Sequence, residues 1–307
     1  MQNQDTATGT RRIRLLVNPS SRAGRGLEAL RKYLHTKNEP SLDWVESTSE
    51  DHWRDLVRRA QDDDLDVLAI AGGDGTVTMT LNALESRNRV PLAIVPMGTG
   101  NDFARDLGIP IAIDQACDVI CHGITRRVDV GRAVWQDASA TRFGCVASVG
   151  FDHQAIETVY HSGYSRSKAL YFFATLRALW SYRPQTVRVT WPEGEFVGPL
   201  LFLAVTNTRD YGGGFRLSPQ ARVDDGLLNL YLLPKTGRLR TLREFARVSL
   251  GRPYPIPEVV RCTTPWVRIE TPDRAIPVAI DGEPLRHSTP VLLTIDPGEL
   301  AVLVPRP

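Results

Sequence analysis

Lysine is scarce in this chain: four of its 37 cationic residues are lysine (Lys32, Lys37, Lys168, Lys235) and the rest are arginine. Arginine stays charged and forks onto phosphate oxygens or lipid head groups, although genomic base composition accounts for the bias equally well. Excess charge is also missing. A formal net charge of +2 over 307 residues lacks the electrostatic footprint of a dedicated nucleic-acid binder, so nucleic acid is not an expected partner. The four cysteines, Cys117, Cys121, Cys145 and Cys262, have neither CxxC spacing nor the density of a disulfide scaffold and are expected to be reduced and mostly buried. No stretch reaches about 18 uninterrupted apolar residues, and the polar start MQNQDTATGTRR has no apolar core of a signal peptide. A cytoplasmic protein that meets a membrane only at its surface is expected. Internal repeats, low-complexity tracts and a Walker A lysine (GxxxxGK[ST]) are all absent from the sequence.

What is present is the balance of a folded protein, 42% hydrophobic and 23% charged residues, at a length suited to two ordinary domains. From Arg12 onward, short apolar runs alternate with helical patterns: IRLLVNP (13–19), a helix near Leu27–Leu34, VLAIAGG (67–73), a helix over Thr76–Ser86, LAIVP (92–96) and a helix over Asp102–Leu107. Fully apolar strands followed by helices predict a parallel sheet covered on both faces. Residues 1–128 are therefore expected to form an α/β domain. Its strands run into loops of Gly, Asn and Asp, where open parallel sheets bind ligands.

After RRVDVG (126–131) the pattern changes to RFGCVASVG, VRVTW, LLFLAVTN, LLNLYLLP, WVRIET, AIPVAIDGEP, VLLTI and AVLVP. Such strands, spaced by Gly and Pro, predict a mainly antiparallel β-sandwich over residues 129–307. Two helices are expected within it, Lys168–Trp180 and Leu239–Leu250. In the first, Ala169, Phe172, Phe173, Leu176, Leu179 and Trp180 make one apolar stripe. Packing against the β domain is the plainer reading. An interfacial element is the other, since Lys168, Arg177 and Arg183 flank the aromatics.

The segment AGGDGTV (71–77) ends a strand and opens a helix, so backbone N–H groups can face a phosphate at close approach. A carboxylate in such a turn needs a cation to bridge it to phosphate, which links Asp74 to Mg²⁺; a helix N-cap is its structural alternative. The next strand ends in PMGTGNDFARDLGIP (96–110), which brings Thr99, Asn101 and Asp102 to the same sheet edge.

GGDGT followed by P-x-GTGNDFAR resembles the catalytic domain of the diacylglycerol kinase family, which includes bacterial lipid kinases and is related to ceramide and sphingosine kinases. NAD kinases share the first motif and lack the second. The resemblance extends to VNPSSRAGRG (17–26), VEST (45–48), VDVG (128–131), TNTRDYGGGFRLSPQARVDDGLLNLYLLP (206–234) and AIDGEP (279–284). It implies a Rossmann-like or phosphofructokinase-like nucleotide domain, with ATP and Mg²⁺ as cofactors. Nucleotide contacts are implied for Asn18, Thr48, Gly72, Gly73, Asp74, Gly75, Thr76, Val77, Thr78, Thr99 and Asn101, with the phosphate-loop residues Ser20, Ser21, Arg22 and Arg25 nearby. Metal contacts are implied for Asp74, Asp102 and Asp129, the last with a domain hinge as its alternative. A structural Mg²⁺ is implied on Asp225 and the backbone carbonyls of Arg222 and Leu227, where an Asp-Gly hairpin turn is the alternative. Asn229 departs from the family pattern, which often has Asp there.

A lipid hydroxyl is a poor nucleophile at neutral pH and needs a carboxylate to accept its proton. The resemblance implies that role for Asp281, with Glu283 orienting it or joining the metal network. The expected function is ATP-dependent phosphorylation of a lipid hydroxyl, diacylglycerol or a relative, by a protein that contacts the membrane surface transiently. A kinase for a soluble metabolite such as NAD and a catalytically silent lipid- or nucleotide-binding regulator are the alternatives. Neither the acceptor lipid nor the oligomeric state is legible in the sequence.

Overall fold

The computed structural model describes residues 11–18, 28, 30–33, 42–161, 168–237, 239–241, 243 and 258–307. Ser20, Ser21, Arg22 and Arg25 and most of the segment 239–250 lie outside the described residues, as does the side chain of Phe172.

The first layer runs β1 (Ile13–Val17), β2 (Leu42–Glu46), α1 (Glu50–Asp62), β3 (Val67–Gly72), α2 (Asp74–Ala83), β4 (Leu92–Pro96), α3 (Asp102–Asp106) and α4 (Ile113–His122). Strands β2, β1, β3 and β4 are parallel neighbours in that order. Every residue of β3 and β4 is buried, which is why these strands read as unbroken apolar runs rather than alternating ones. Helix α1 starts at Ser49, whose side chain accepts from the His52 amide, with Glu50 and Asp51 in the first turn complementing the helix dipole. Its fully buried Trp53 donates from Nε1 to Thr80 Oγ1 at 3.1 Å, so the indole's polar end is satisfied where α1 packs on α2.

The second layer runs β5 (Ile124–Trp135), β6 (Ala140–Phe143), β7 (Val146–Gly150), α5 (Phe151–His161), α6 (Lys168–Ser181), β8 (Gln185–Trp191), β9 (Gly194–Thr206), β10 (Asp210–Tyr211), β11 (Phe215–Arg216), β12 (Leu228–Pro234), β13 (Val260–Thr264), β14 (Trp266–Glu270), β15 (Pro277–Ile280), β16 (Glu283–Ser288) and β17 (Val291–Val304). Its pairings are antiparallel, as the alternating sequence implies. Along β7 the alternation is visible residue by residue: Val146 joins the core beneath the parallel sheet, and Ala147 and Val149 join the core of the sandwich.

Three features differ from the sequence reading. VLLTI and AVLVP are the two ends of one strand, β17, which pairs with β5 from Val291↔Trp135 to Val304↔Ile124 and shifts register between Asp296 and Leu300. The far end of β17 also pairs in parallel with β4, through Val302↔Leu92, so the C-terminus completes the sheet of the first half. As a result the expected boundary at 128/129 falls inside β5: Val128 and Val130 lie in one core, Ala133 and Trp135 in the other. Helices α1, α4 and α5 were not anticipated. Finally, the stripe on α6 divides, with Leu179 buried and Leu176 half-buried while Phe173 is 67% and Trp180 64% exposed.

Candidate active site

The site lies where the β3–α2 and β4–α3 loops meet the sandwich. Gly73 and Gly98 touch backbone to backbone, so a Cβ on Gly73 would lie 2.8 Å from Gly98 Cα and one on Gly98 2.5 Å from Gly73 Cα. Only glycine fits at either position. Met97 N donates to Gly72 O at 2.8 Å, and Asn101, in the left-handed region at φ 53°, clasps the second loop by accepting from Gly98 N at 2.8 Å and donating to Gly98 O at 2.9 Å. Asn18 reaches from β1 to donate to Thr76 Oγ1 at 3.4 Å. The two glycine loops are thus one surface of small residues at the sheet's carboxyl edge. Gly73→Ala is expected to part the loops while leaving β3 and β4 paired, measurable as a lower melting temperature with an unchanged far-UV circular dichroism spectrum.

Carboxylates converge on this surface. Asp74 Oδ1 accepts from Phe103 N at 3.2 Å. Asp102 Oδ2 accepts from Gly213 N at 2.7 Å and its Oδ1 from Arg105 Nη1 at 3.1 Å. The Oδ2 atoms of Asp74 and Asp102 flank Gly100, where a Cβ would lie 2.7 Å from Asp74 Oδ2 and 3.6 Å from Asp102 Oδ2, a clash with the first and ordinary contact with the second. Burial first, then the charges of Asp102 and Asp281, push Asp74 up to about 7. Asp102 is also raised by burial, against the pull of the Gly213 amide and Arg105.

Asp281 sits between β15 and β16 with φ 48°, a conformation that Asp tolerates better than most residues. Its carboxylate holds the start of β7: Oδ1 accepts from the Cys145 and Val146 amides, both at 2.8 Å, and Oδ2 from the Gly144 amide at 2.9 Å. The fourth donor comes from the other domain, the Thr78 hydroxyl at 2.6 Å. Burial raises Asp281 and these four donors oppose the rise. Glu283 faces the start of α2 across the same seam, where a Cβ on Gly75 would collide with its Oε1.

The other expected residues are placed as follows. Thr48 is exposed and contacts His52 Nδ1 at 3.0 Å through its hydroxyl, and Thr99 is exposed on the second glycine loop. Val77 is buried in the core of the α/β domain, and its amide donates to Gly73 O at 3.1 Å. Asp129 joins the 222–227 loop: its Oδ2 accepts from Gly226 N at 2.7 Å and its Oδ1 from Gly298 N at 2.8 Å, and its own amide donates to Val223 O at 2.7 Å. Asp225 Oδ1 accepts from Leu227 N at 3.0 Å, an Asx closure of the Asp-Gly turn, and the Arg222 side chain pairs with Asp224. The amides of residues 144–146, the Gly213 amide and Arg105 were not anticipated. FGCV reads only as a strand, but the run of three glycines with φ of 63°, 88° and 103° signals backbone that approaches another group closely.

Among the described residues no group of three or more His, Cys, Asp or Glu side chains is placed to hold a metal ion. The pair Asp74–Asp102 nevertheless suits Mg²⁺, which is commonly held by one or two carboxylates together with substrate phosphates. The upward shift of Asp74 is the mark of a buried anion lacking enough positive charge nearby.

Comparison with known proteins agrees with this geometry over both layers. Residues 12–133 match the diacylglycerol kinase catalytic domain, and residues 145–304 match the YegS C-terminal NAD kinase beta sandwich-like domain. A diacylglycerol kinase of Mycobacterium tuberculosis (strain ATCC 25618 / H37Rv) is 31% identical over 299 residues, 96% of each chain. A protein of Chromohalobacter salexigens described as "Probable lipid kinase YegS-like" is 33% identical over 258 residues, 81% of this chain and 79% of that one. Among solved structures, a diacylglycerol kinase from Bacillus anthracis str. Sterne superposes with a TM-score of 0.72 at 22% identity, covering 96% of this chain and 97% of that one. Yeast NADH kinase shares the fold more distantly, with a TM-score of 0.53 at 10% identity over 98% of this chain and 85% of that one. With both of its layers matched and relatives spanning nearly its full length, the chain belongs to the diacylglycerol kinase and YegS-like family of lipid kinases.

Proposed function

We propose that this protein transfers the γ-phosphoryl group of ATP to the hydroxyl of a membrane lipid, diacylglycerol or a close relative. The observation that carries the reading is the convergence of Asp74 and Asp102, beside the paired glycine loops, with Asp281 from the sandwich. Bound Mg²⁺–ATP supplies the phosphoryl group and the positive charge that spreads its negative charge in the transition state. Amides at Gly73 and Gly75, with Asn18, Thr76 and Thr78, line the surface for the phosphates, and Asn101 shapes it by clasping Gly98. Asp74 and Asp102 hold the metal, and Arg105 fixes Asp102. A second, structural cation on Asp225 and the carbonyls of Arg222 and Leu227 rests on the family resemblance alone.

Asp281 is the general base in this reading. The Thr78 hydroxyl already donates to its Oδ2 at 2.6 Å, within the range a general base needs toward the proton it accepts. An acceptor hydroxyl that takes over this contact would deliver its proton there. Activity that requires lipid vesicles or detergent micelles, with no turnover on NAD, supports the reading; turnover on NAD without an interface overturns it.

No helix among the described residues is long and apolar enough to cross a membrane, so the acceptor must be reached from the surface. Phe173 and Trp180 are seven residues apart on α6, hence on one face, with the exposed Arg177 between them. We assign this face to transient docking on anionic lipid. Replacing both aromatics by serine should lower vesicle binding roughly a hundredfold or more, from about 1.5–3 kcal/mol for each apolar side chain buried. Equal vesicle co-sedimentation of the two proteins would remove α6 from the docking surface.

A further inference from the structure

Asn207 is fully buried just past the end of β9, and its donors converge on one small region. Its amide N–H donates to Cys145 O at 2.8 Å, and its side-chain Nδ2 donates to Gly144 O at 3.1 Å and to Asp129 O at 3.0 Å. Carbonyl oxygens only accept, so Nδ2 must be the atom that faces them. The other arm, Oδ1, is buried without a hydrogen-bond partner among the described residues. An unpaired buried oxygen lowers stability, and departures of this kind collect at functional sites.

The carbonyls of residues 144 and 145 belong to peptide groups that serve the reaction centre. Gly144 C=O shares its peptide plane with the Cys145 N–H, and Cys145 C=O with the Val146 N–H. These are the two amides that donate to Asp281 Oδ1, both at 2.8 Å. A peptide group whose carbonyl accepts a hydrogen bond donates a stronger one from its amide. Asn207 thus grips both peptide groups from behind while Asp281 Oδ1 takes them in front, and its bond to Asp129 O ties them to β5. Oδ1 is the anchored oxygen. Oδ2, which accepts from Gly144 N at 2.9 Å and from the Thr78 hydroxyl at 2.6 Å, is the one presented across the seam to the α/β domain. The same segment continues to the metal side. Arg209 donates from its amide at 3.1 Å and from Nε at 2.7 Å to Asp106 Oδ1, at the far end of α3 from Asp102, whose Oδ2 accepts from Gly213 N.

We propose that Asn207 is the positioning residue for Asp281: it fixes the two amides that aim the carboxylate, and so sets where Oδ2 meets the acceptor hydroxyl. The inference rests on the reading of Asp281 as general base in a lipid kinase and deepens it. Misplacing a reacting group by about 1 Å costs on the order of a hundredfold in rate. Without Nδ2 the peptide group between Gly144 and Cys145 loses the bond behind it, and Asp281 Oδ1 shifts with the amide that holds it. A residue that only knots β5, β7 and β9 together would behave differently: its loss would lower the melting temperature and leave the native fraction fully active.

The test measures kcat of the full chain with Mg²⁺–ATP on 1,2-diacylglycerol in mixed micelles, or on whichever micellar lipid the natural chain turns over. Asn207→Ala keeps the backbone bond to Cys145 O and removes both side-chain bonds. In protein shown native by circular dichroism and by ATP-analogue binding, it should lower kcat roughly ten- to a hundredfold, with KM for ATP nearly unchanged. Placed on Asp281→Asn, which already lacks the base, the same substitution should cost less than about twofold, because residues that act as one unit do not add. Asn207→Ser retains one donor and should lose less than Asn207→Ala; it carries the comparison if Asn207→Ala does not fold. Unchanged kcat in the native single variant, or an equal loss in both backgrounds, overturns the proposal. So does failure of both variants to fold, which would make Asn207 a residue of the fold alone. Phosphorylation of no lipid hydroxyl in micelles by the natural chain would instead sink the lipid-kinase reading, and full activity of Asp281→Asn the base assignment, on which the inference rests.

Discussion

Asp74→Asn is expected to abolish turnover and at the same time raise the melting temperature of the unliganded protein. The two effects share one cause. Asp74 keeps its proton to about pH 7 in the folded protein, against an ordinary value of 3.8, because burial and the charges of Asp102 and Asp281 oppose its ionisation. A group whose pKa is raised by folding contributes stability at pH below its unfolded value and loses it as the pH rises through its folded value. The penalty is thus absent near pH 4, grows up to about 7 and is complete above it. Asparagine carries none of it, so melting curves of the two proteins should diverge with rising pH and coincide in acid. Mg²⁺ with an ATP analogue should narrow the gap at neutral pH, since a ligand that binds the folded state adds about 2.7 kcal/mol at a hundredfold excess over its Kd and the variant lacks the carboxylate proposed to hold the metal. Full turnover of Asp74→Asn at saturating Mg²⁺ would remove Asp74 from the metal site.

The parallel half was legible because its strands are buried on both faces and end in glycine loops. VLAIAGG and LAIVP admit few other readings. The sandwich was legible as a class but not as a topology. Nothing local in VLLTI or AVLVP says that they form one strand across a register shift, or that Val302 pairs with Leu92, since such pairings are settled by contacts remote in sequence. Helix α5 begins within VGFDHQ, where β7 leads directly into helix, and α4 follows Ala112, which has no side chain to cap it; α1, at ESTSEDHW, has a clear cap in Ser49, but only three residues separate it from β2.

Within the site, carboxylates on glycine-containing loops announced themselves. Asp74, Asp102 and Asp281 converge in the fold, joined by the Thr78–Asp281 bond across the two domains and by the Gly213–Asp102 bond. The amide donors were not legible, because a backbone N–H has no residue code. Gly144, Cys145 and Val146 bind Asp281 through atoms that every non-proline residue possesses. Asp129 shows the converse. The family resemblance implies a metal contact there, and the structure turns its two oxygens to the amides of Gly226 and Gly298, tying β5, the 222–227 turn and β17 together at the point where β5 passes from one core to the other.

Asp281→Asn should lower kcat by roughly 10²–10⁴, the range lost with a general base, and it should also cost stability. Asparagine is close to aspartate in shape but carries two hydrogens on one arm. Placed toward Cys145 and Val146, that arm faces two amide donors that now find no acceptor; placed the other way, it faces the Gly144 amide, while Thr78 can rotate to accept. The second orientation costs less and leaves one buried N–H unpaired, about 1–3 kcal/mol. The variant is therefore expected to melt a few degrees lower and still fold, so kcat must be read on protein shown by melting and by ATP-analogue binding to be native. Nucleotide affinity should be nearly unchanged, because the phosphate surface belongs to the other domain, and KM for lipid should hold while kcat falls, the signature of an interaction made in the transition state. Thr78→Val separates lock from base: it removes the hydroxyl donor and leaves the carboxylate able to take a proton, so its loss should be far smaller. If native Asp281→Asn protein keeps more than about a tenth of the activity, a loss below that of removing a general base, Asp281 serves only to hold residues 144–146. Glu283, against Gly75 at the start of α2, would then take the proton.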